Sequence, residues 1–220
     1  MQKTSGFTLI EILIAIFILG TVLTTVYASY TGTFRIVKDT QYTDNIYSMA
    51  RTAMNRMGVD LESACGYGSS FKFESTEIEK EDFMELSFLS SAHLDFDEEK
   101  SSGIAVINYL VLEDDEGGDS ILKRNDELYR DKAEEAEEEE EESRDGGYIL
   151  CEGLQSLIYT FYDNSGEEYD SWDSESDLKT QNGKAPTVVS IQMNFTNPDD
   201  KDRPYRFMTK VFLPVQQGNK

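Results

Sequence analysis

The chain has 220 residues and a mass of 25.0 kDa, enough for one domain with at most an appendage. Its 43 acidic residues against 20 basic ones give a net charge of −23, which excludes nucleic-acid binding through a broad basic face. One histidine, His93, and two cysteines, Cys65 and Cys151, exclude a four-ligand Cys/His zinc site and leave one candidate base for a His-based triad. Twelve Tyr, twelve Phe and one Trp predict a folded core rather than a disordered acidic coil.

The first element is Phe7 to Val26, FTLIEILIAIFILGTVLTTV, twenty residues carrying a single charge, Glu11. As a helix it would span about 30 Å, the thickness of a bilayer core. The preceding MQKTSG carries Lys3 and the chain amine but no acid. The positive-inside rule then holds the extreme N-terminus in the cytoplasm and puts everything after residue 26 on the other side. Three readings of this segment are open. A cleaved secretory signal would use Tyr27-Ala28-Ser29 as its small-residue cut site. A plain signal anchor would remain uncut. In the third, Glu11 has a task, because a charge at the bilayer centre costs about 2.5–3.5 kcal/mol and marks a functional site with a partner.

The helical spacing continues past the apolar run. Tyr27, Tyr30, Phe34 and Val37 step by three and four, and Ile46, Met49, Ala50, Ala53, Met57 and Leu61 repeat the pattern. No proline interrupts residues 7 to 64, so one helix is predicted over about residues 7 to 63, ending near Gly66-Tyr67-Gly68. Its second half should lay an apolar face on a head, and the Met and aromatic stripe reads as core packing. Beyond it the chain turns strand-like. Phe83 to Leu89, Ile104 to Leu112, Tyr148 to Cys151, Leu154 to Asp163, Val188 to Phe195 and Tyr205 to Leu213 are rich in Val, Ile, Tyr and Phe. Asp163-Asn164-Ser165-Gly166 marks a turn. One long helix followed by strands without βαβ alternation predicts an α+β fold built on antiparallel sheet.

Lys132 to Glu142 contains eight glutamates and reads as a solvated, self-repelling loop or frayed helix. Glu113 to Asp119 and Asp163 to Asp177 are either solvated hairpins or hard-oxygen calcium loops, although neither follows the D-x-[DN]-x-[DN]-G pattern. No metal and no cofactor is assigned. Cys65 and Cys151 are either a disulfide, adding on the order of 4–5 kcal/mol in the chain-entropy model, or two separately buried thiols. His93, among Ser90, Ser91, Asp95 and Asp97, is expected in a surface loop and not as a catalytic base.

Gly6-Phe7-Thr8-Leu9-Ile10-Glu11 resembles the class III signal of type IV prepilins and type II secretion pseudopilins. The resemblance implies cleavage after Gly6 by a prepilin peptidase at the cytoplasmic membrane face, and N-methylation of the new first residue, Phe7. It also implies that Glu11, at the fifth mature position, neutralises the N-terminal amine of an adjacent subunit during assembly. Physically that is a desolvated ion pair in lipid, where attraction is weakly screened. On this reading residues 1–6 are the leader, 7–26 the transmembrane helix and 27–64 its amphipathic continuation. Residues 65–220 are the β-rich head, with an acidic loop over 132–145.

The C-terminal half is similar to the minor pseudopilin J family of type II secretion. Leu154 to Gly166 matches an apolar strand ending in an aromatic, an acid and a Gly turn. Tyr169, Trp172 and Pro186 stand where that family has loop aromatics and a proline, with Tyr169 at an expected Trp. Leu122-Lys123-Arg124 and Leu128-Tyr129-Arg130 resemble its Leu-x-Arg strand end, and Arg206 to Pro214 its closing strand. The poly-Glu insertion departs from the pattern.

The resemblance implies a non-catalytic subunit of a periplasmic pseudopilus, anchored in the inner membrane with its head in the periplasm. Implied partners are minor pseudopilins I and K at the fibre tip, the other pseudopilins, the prepilin peptidase and the inner-membrane assembly platform. Phe34 and Val37, where the helix leaves the membrane, are the expected partner contact. A minor pilin of a type IV pilus or DNA-uptake system is the alternative within the superfamily. An anchored acidic hydrolase is the alternative outside it, but with 43 acids paired carboxylates arise by chance.

Overall fold

The computed structural model describes residues 6–66, 72–78, 80, 82–94, 103–113, 120–129, 146–200 and 202–214. The chain forms two compact units, Met1–Tyr47 and Ser48–Lys220. A single helix, α1 (Leu9–Glu62, 54 residues), supplies the first unit and the opening of the second. The predicted helix over 7 to 63 is thus present with its ends drawn in by one or two residues. In the first unit the apolar side chains from Phe7 to Val37 are exposed. The helix is long and apolar enough there to cross a membrane. Its threonines satisfy their own hydroxyls: Thr21 Oγ1 donates to the Ile18 carbonyl, Thr24 to Gly20, Thr25 to Thr21 and Thr31 to Tyr27. Such back-bonding pairs these hydroxyl donors within the helix itself.

In the second unit the stripe predicted from the spacing is buried: Ala50, Ala53, Met57 and Leu61 have no solvent exposure. Small residues at two of these four sites let a helix approach its packing partner closely. After α1 come eight strands: β1 (Phe73–Glu77), β2 (Met84–Ser90), β3 (Ala105–Glu113), β4 (Ser120–Leu128), β5 (Tyr148–Tyr162), β6 (Glu168–Tyr169), β7 (Val188–Phe195) and β8 (Tyr205–Phe212). They make one antiparallel sheet in the order β1-β2-β3-β4-β5-β7-β8, with β6 beside β5. The α+β architecture expected from the element order is what forms. Connections of this kind need no crossover helix.

Three differences from the predicted strands have physical causes. Tyr148–Cys151 and Leu154–Asp163 are one strand, because Gly153 (φ +75°) absorbs a bulge rather than a turn. That lets β5 pair with β4 through its first half and with β7 through its second. β1, whose sequence FESTE is mostly polar, shows no apolar alternation; it exists because Phe73 enters the core and its backbone pairs with β2. β4 carries four charged residues and an Asn between its apolar positions, which conceals it from a hydropathy reading. The alternation in β7 appears as Val189, Ile191, Met193 and Phe195, all fully buried.

The two edges of the sheet differ. The outer edge of β1 is covered by the segment after β6: Ser75 N donates to the Trp172 carbonyl, Ser174 N to the Phe73 carbonyl and Phe73 N to Ser174 Oγ. Trp172 is buried, its indole N–H donating to the Lys184 carbonyl and its ring beside Tyr169 and Phe161. β8 pairs with β7 along all eight of its residues. Among the described residues no strand lies on its other side.

Candidate functional site

Two places concentrate polar chemistry. The first is the start of α1. Thr8 N donates to Glu11 Oε2 at 2.9 Å, Thr8 Oγ1 donates to the same oxygen at 2.9 Å, and Glu11 N donates to Thr8 Oγ1 at 3.4 Å. This is a capping box: Thr8 is the N-cap and Glu11 the third helical residue, each satisfying an amide that the first turn leaves unpaired. The sequence reading named Glu11 but not its partner Thr8, although the T-x-x-E spacing carries that signal. Gly6 and Phe7 precede the helix outside regular structure and are exposed, with Phe7 86% accessible. A peptide bond between a residue without Cβ and an exposed aromatic is open to a peptidase. Further along, Tyr30, Phe34 and Val37 are exposed, and the Tyr30 and Phe34 rings stack at 6.1 Å. They form an apolar strip on the helix.

The second place lies inside the head. Asp60, on the last full turn of α1, has no solvent exposure. Its Oδ2 accepts from Arg124 Nε at 2.7 Å and from the Tyr109 hydroxyl at 2.5 Å; its Oδ1 pairs with Arg56, one helical turn back. Arg124 and Tyr109 are cross-strand neighbours on β4 and β3, so the carboxylate is aimed at the middle of the sheet. Arg124, also fully buried, places Nη1 3.0 Å from Asp126 Oδ1 in an ion pair too oblique for a hydrogen bond. It donates from Nη2 to the Ala92 carbonyl at 3.3 Å, and Arg56 donates to that carbonyl at 2.6 Å. Burial opposes the Arg124 charge, but the hydrogen bond and charge of Asp60, with the charge of Asp126, outweigh it and raise its pKa above the ordinary guanidinium value. Burial, then the Asp60 charge, pushes the Tyr109 phenol well above its usual range. The cluster is a structural clamp between helix and sheet. Each of these charges has a counter-charge, and Asp60 and Arg124 at its centre are fully buried.

His93 lies in the loop after β2, as expected, but is only partly exposed and joins the edge of this cluster. Its Nδ1 lies 3.0 Å from Asp126 Oδ2, and that oxygen also accepts from Leu94 N at 2.8 Å. Asp126 thus draws the chain after β2 onto β4. Asp95 and Asp97 lie outside the described residues. The two cysteines are free thiols, so the disulfide alternative gives way. Cys65 bonds to Leu89 on β2, whereas Cys151 on β5 lies opposite Leu122. β3 and β4 run between those strands, and along β4 the two levels, Glu127 and Leu122, are five residues apart. A disulfide needs Cα atoms within about 7 Å. Burial pushes the Cys151 thiol up to about 12.

Of the two acidic loops, 114–119 lies outside the described residues, as does the glutamate run at 132–142. Asp163 is committed to its turn: Oδ1 accepts from Ser165 N at 2.8 Å, Ser165 Oγ at 2.6 Å and Glu167 N at 3.0 Å. The Ser165 hydroxyl leads these bonds in holding its pKa low.

The model of the prokaryotic N-terminal methylation motif matches residues 1–27 of the chain. No curated protein matches it. The N-terminus therefore carries a prepilin-type methylation motif, which indicates a type IV pilin-like or pseudopilin class. It points to a structural subunit and is consistent with membrane anchoring through the apolar part of α1.

Proposed function

We propose that this chain is a minor pseudopilin of a type II secretion system, working in the tip complex of the pseudopilus with minor pseudopilins I and K. The observation that carries the reading is the methylation motif over residues 1–27 at the head of a 54-residue helix that ends in an antiparallel sheet. The prepilin peptidase cuts between Gly6 and Phe7 and methylates the Phe7 amine. The mature subunit waits in the inner membrane with its head in the periplasm, until the assembly platform moves it into the fibre.

Glu11 then acts as the counter-charge for an incoming neighbour's amine. Its carboxylate already accepts two bonds from Thr8, so one oxygen is held and the other is left for the neighbour. In lipid a pair of this kind is short of competing water, and an unpaired partner is penalised.

The test is intact-mass measurement of protein extracted from membranes, followed by co-purification with the I and K partners. A mass starting at N-methyl-Phe7 and recovery of both partners support the reading. A mature N-terminus at or after Ala28 would refute the processing. Recovery instead with the subunits of a type IV pilus or DNA-uptake machine would move the chain to that fibre.

A further inference from the structure

We infer that the free edge of β8 is a docking site for an extended, acidic segment of another protein, which adds to the sheet as one more strand. The inference goes beyond assembly through the N-terminal helix and does not depend on which fibre the chain enters.

The backbone makes the first argument. β8 pairs with β7 from Val188↔Phe212 to Phe195↔Tyr205, so every second residue of β8 directs its N–H and C=O away from β7. Exposed edges of this kind template further pairing, and proteins usually cover them. This protein does cover the opposite edge, where the Trp172–Ser174 segment takes up the outer amides and carbonyls of β1. At β8 no such segment is found among the described residues. Prolines at 204 and 214 bracket the strand and limit an added partner to about its own eight residues.

The side chains make the second argument, and they specify the partner. The core-facing row of β8 is half-buried at Tyr205, Phe207 and Thr209. Its opposite row is Arg206, Met208, Lys210 and Phe212, all exposed, with Met208 at 59% and Phe212 at 70%. The register sets these beside Asn194, Gln192, Ser190 and Val188 of β7, and beyond them Ser156, Ile158, Thr160 and Tyr162 of β5. In a chain of net charge −23, this twelve-residue face has two cations and no carboxylate. Lys210 Nζ rests 4.4 Å from the centre of the Tyr162 ring, bonded to its hydroxyl at 3.2 Å, which leaves further donors for a carboxylate. A strand with acids at alternate positions would set them against Arg206 and Lys210. A second copy of β8 paired antiparallel about Met208 would set Arg206 against Lys210, a repulsive pair.

The test uses the full mature chain in detergent micelles and two end-blocked octapeptides, one alternating Glu and Val, the other Lys and Val. We expect the Glu/Val peptide to bind at low salt and to slow hydrogen exchange at alternate β8 amides. The double substitution Arg206→Glu, Lys210→Glu should weaken that binding by about tenfold or more and favour the Lys/Val peptide, with unchanged melting because both side chains are exposed. Added salt should weaken the wild-type interaction in parallel. Equal binding of the two peptides, protection confined to other strands, or no binding at all would overturn the inference. Concentration-dependent protection of β8 without peptide would also overturn it, assigning the edge to a second copy.

Discussion

Asp60 is an acid on the inward face of an amphipathic helix, where spacing alone would expect an apolar residue. It is held there by Arg124, Arg56 and Tyr109. Removing one partner of a buried pair leaves the other charged and unsolvated, at a cost of about 3–5 kcal/mol. Asp60→Asn and Arg124→Gln should each destabilise the head on that scale. The double substitution should fall short of their sum by about 1–3 kcal/mol, because the second loss removes the charge stranded by the first. Urea unfolding of the four proteins measures this; strict additivity would mean that the two side chains are not coupled. The buried weak acids give a second expectation. Cys151, Tyr109 and Tyr159 have pKa values raised chiefly by burial. Unfolded, they titrate near 9.0 for the thiol and 10.0 for the phenols, so above those values the folded state holds protons that the unfolded state has lost. Stability is therefore unaffected at neutral pH and falls as pH rises past about 9, by roughly 1.4 kcal/mol per pH unit for each group in its window. Thermal melts at neutral pH and near pH 10 should show the drop, and Cys151 should resist alkylation until the head unfolds.

At the scale of elements, α1 changes its surroundings along its length. Its stripe is exposed at Tyr30, Phe34 and Val37 and buried at Ala50, Ala53, Met57 and Leu61. Replacing Phe34 and Val37 together by Ser should weaken binding to the soluble heads of the proposed I and K partners by on the order of 2–4 kcal/mol if both become covered. The melting temperature of the head should not change. Titration calorimetry with parallel melts checks this; unchanged affinity with a lower melting temperature would make the strip internal core instead. Met57→Ala is the converse case, expected to cost the head about 2–5 kcal/mol as a buried large-to-small change. The helix was legible because its apolar residues recur at three and four without a proline, and β7 because Val189 to Phe195 alternate cleanly. β1 was not, and β4 showed only through the resemblance at Leu122 to Arg124, since their burial depends on partners that spacing does not reveal: Phe73 stacks on Phe88, and Arg124 enters the core only because Asp60 meets it. At the candidate site the motif residues Gly6, Phe7 and Glu11 were readable as a local string. The clamp was not, because Asp60, Tyr109 and Arg124 meet only through the fold.

For the whole molecule, a chain beginning at Ser48 should fold without lipid, since that segment forms a compact unit of its own. Circular dichroism and a cooperative melt would check it; a broad, non-cooperative transition would mean that residues before Ser48 are needed. Within that unit the connection between β4 and β5 holds the glutamate run, and both of its ends are fixed by the sheet. Arg124 pairs with Tyr148, and Gly147, at φ +89°, lies so close that a Cβ would come within 2.3 Å of the Arg124 carbonyl oxygen. Only a glycine fits there, and it closes the connection at its base. Once the ends of a loop are anchored side by side, its length enters stability only logarithmically, about 0.6 kcal/mol for each doubling. Lengthening, cutting back or recharging the connection by mutation should therefore leave the register of β4 against β5 in place.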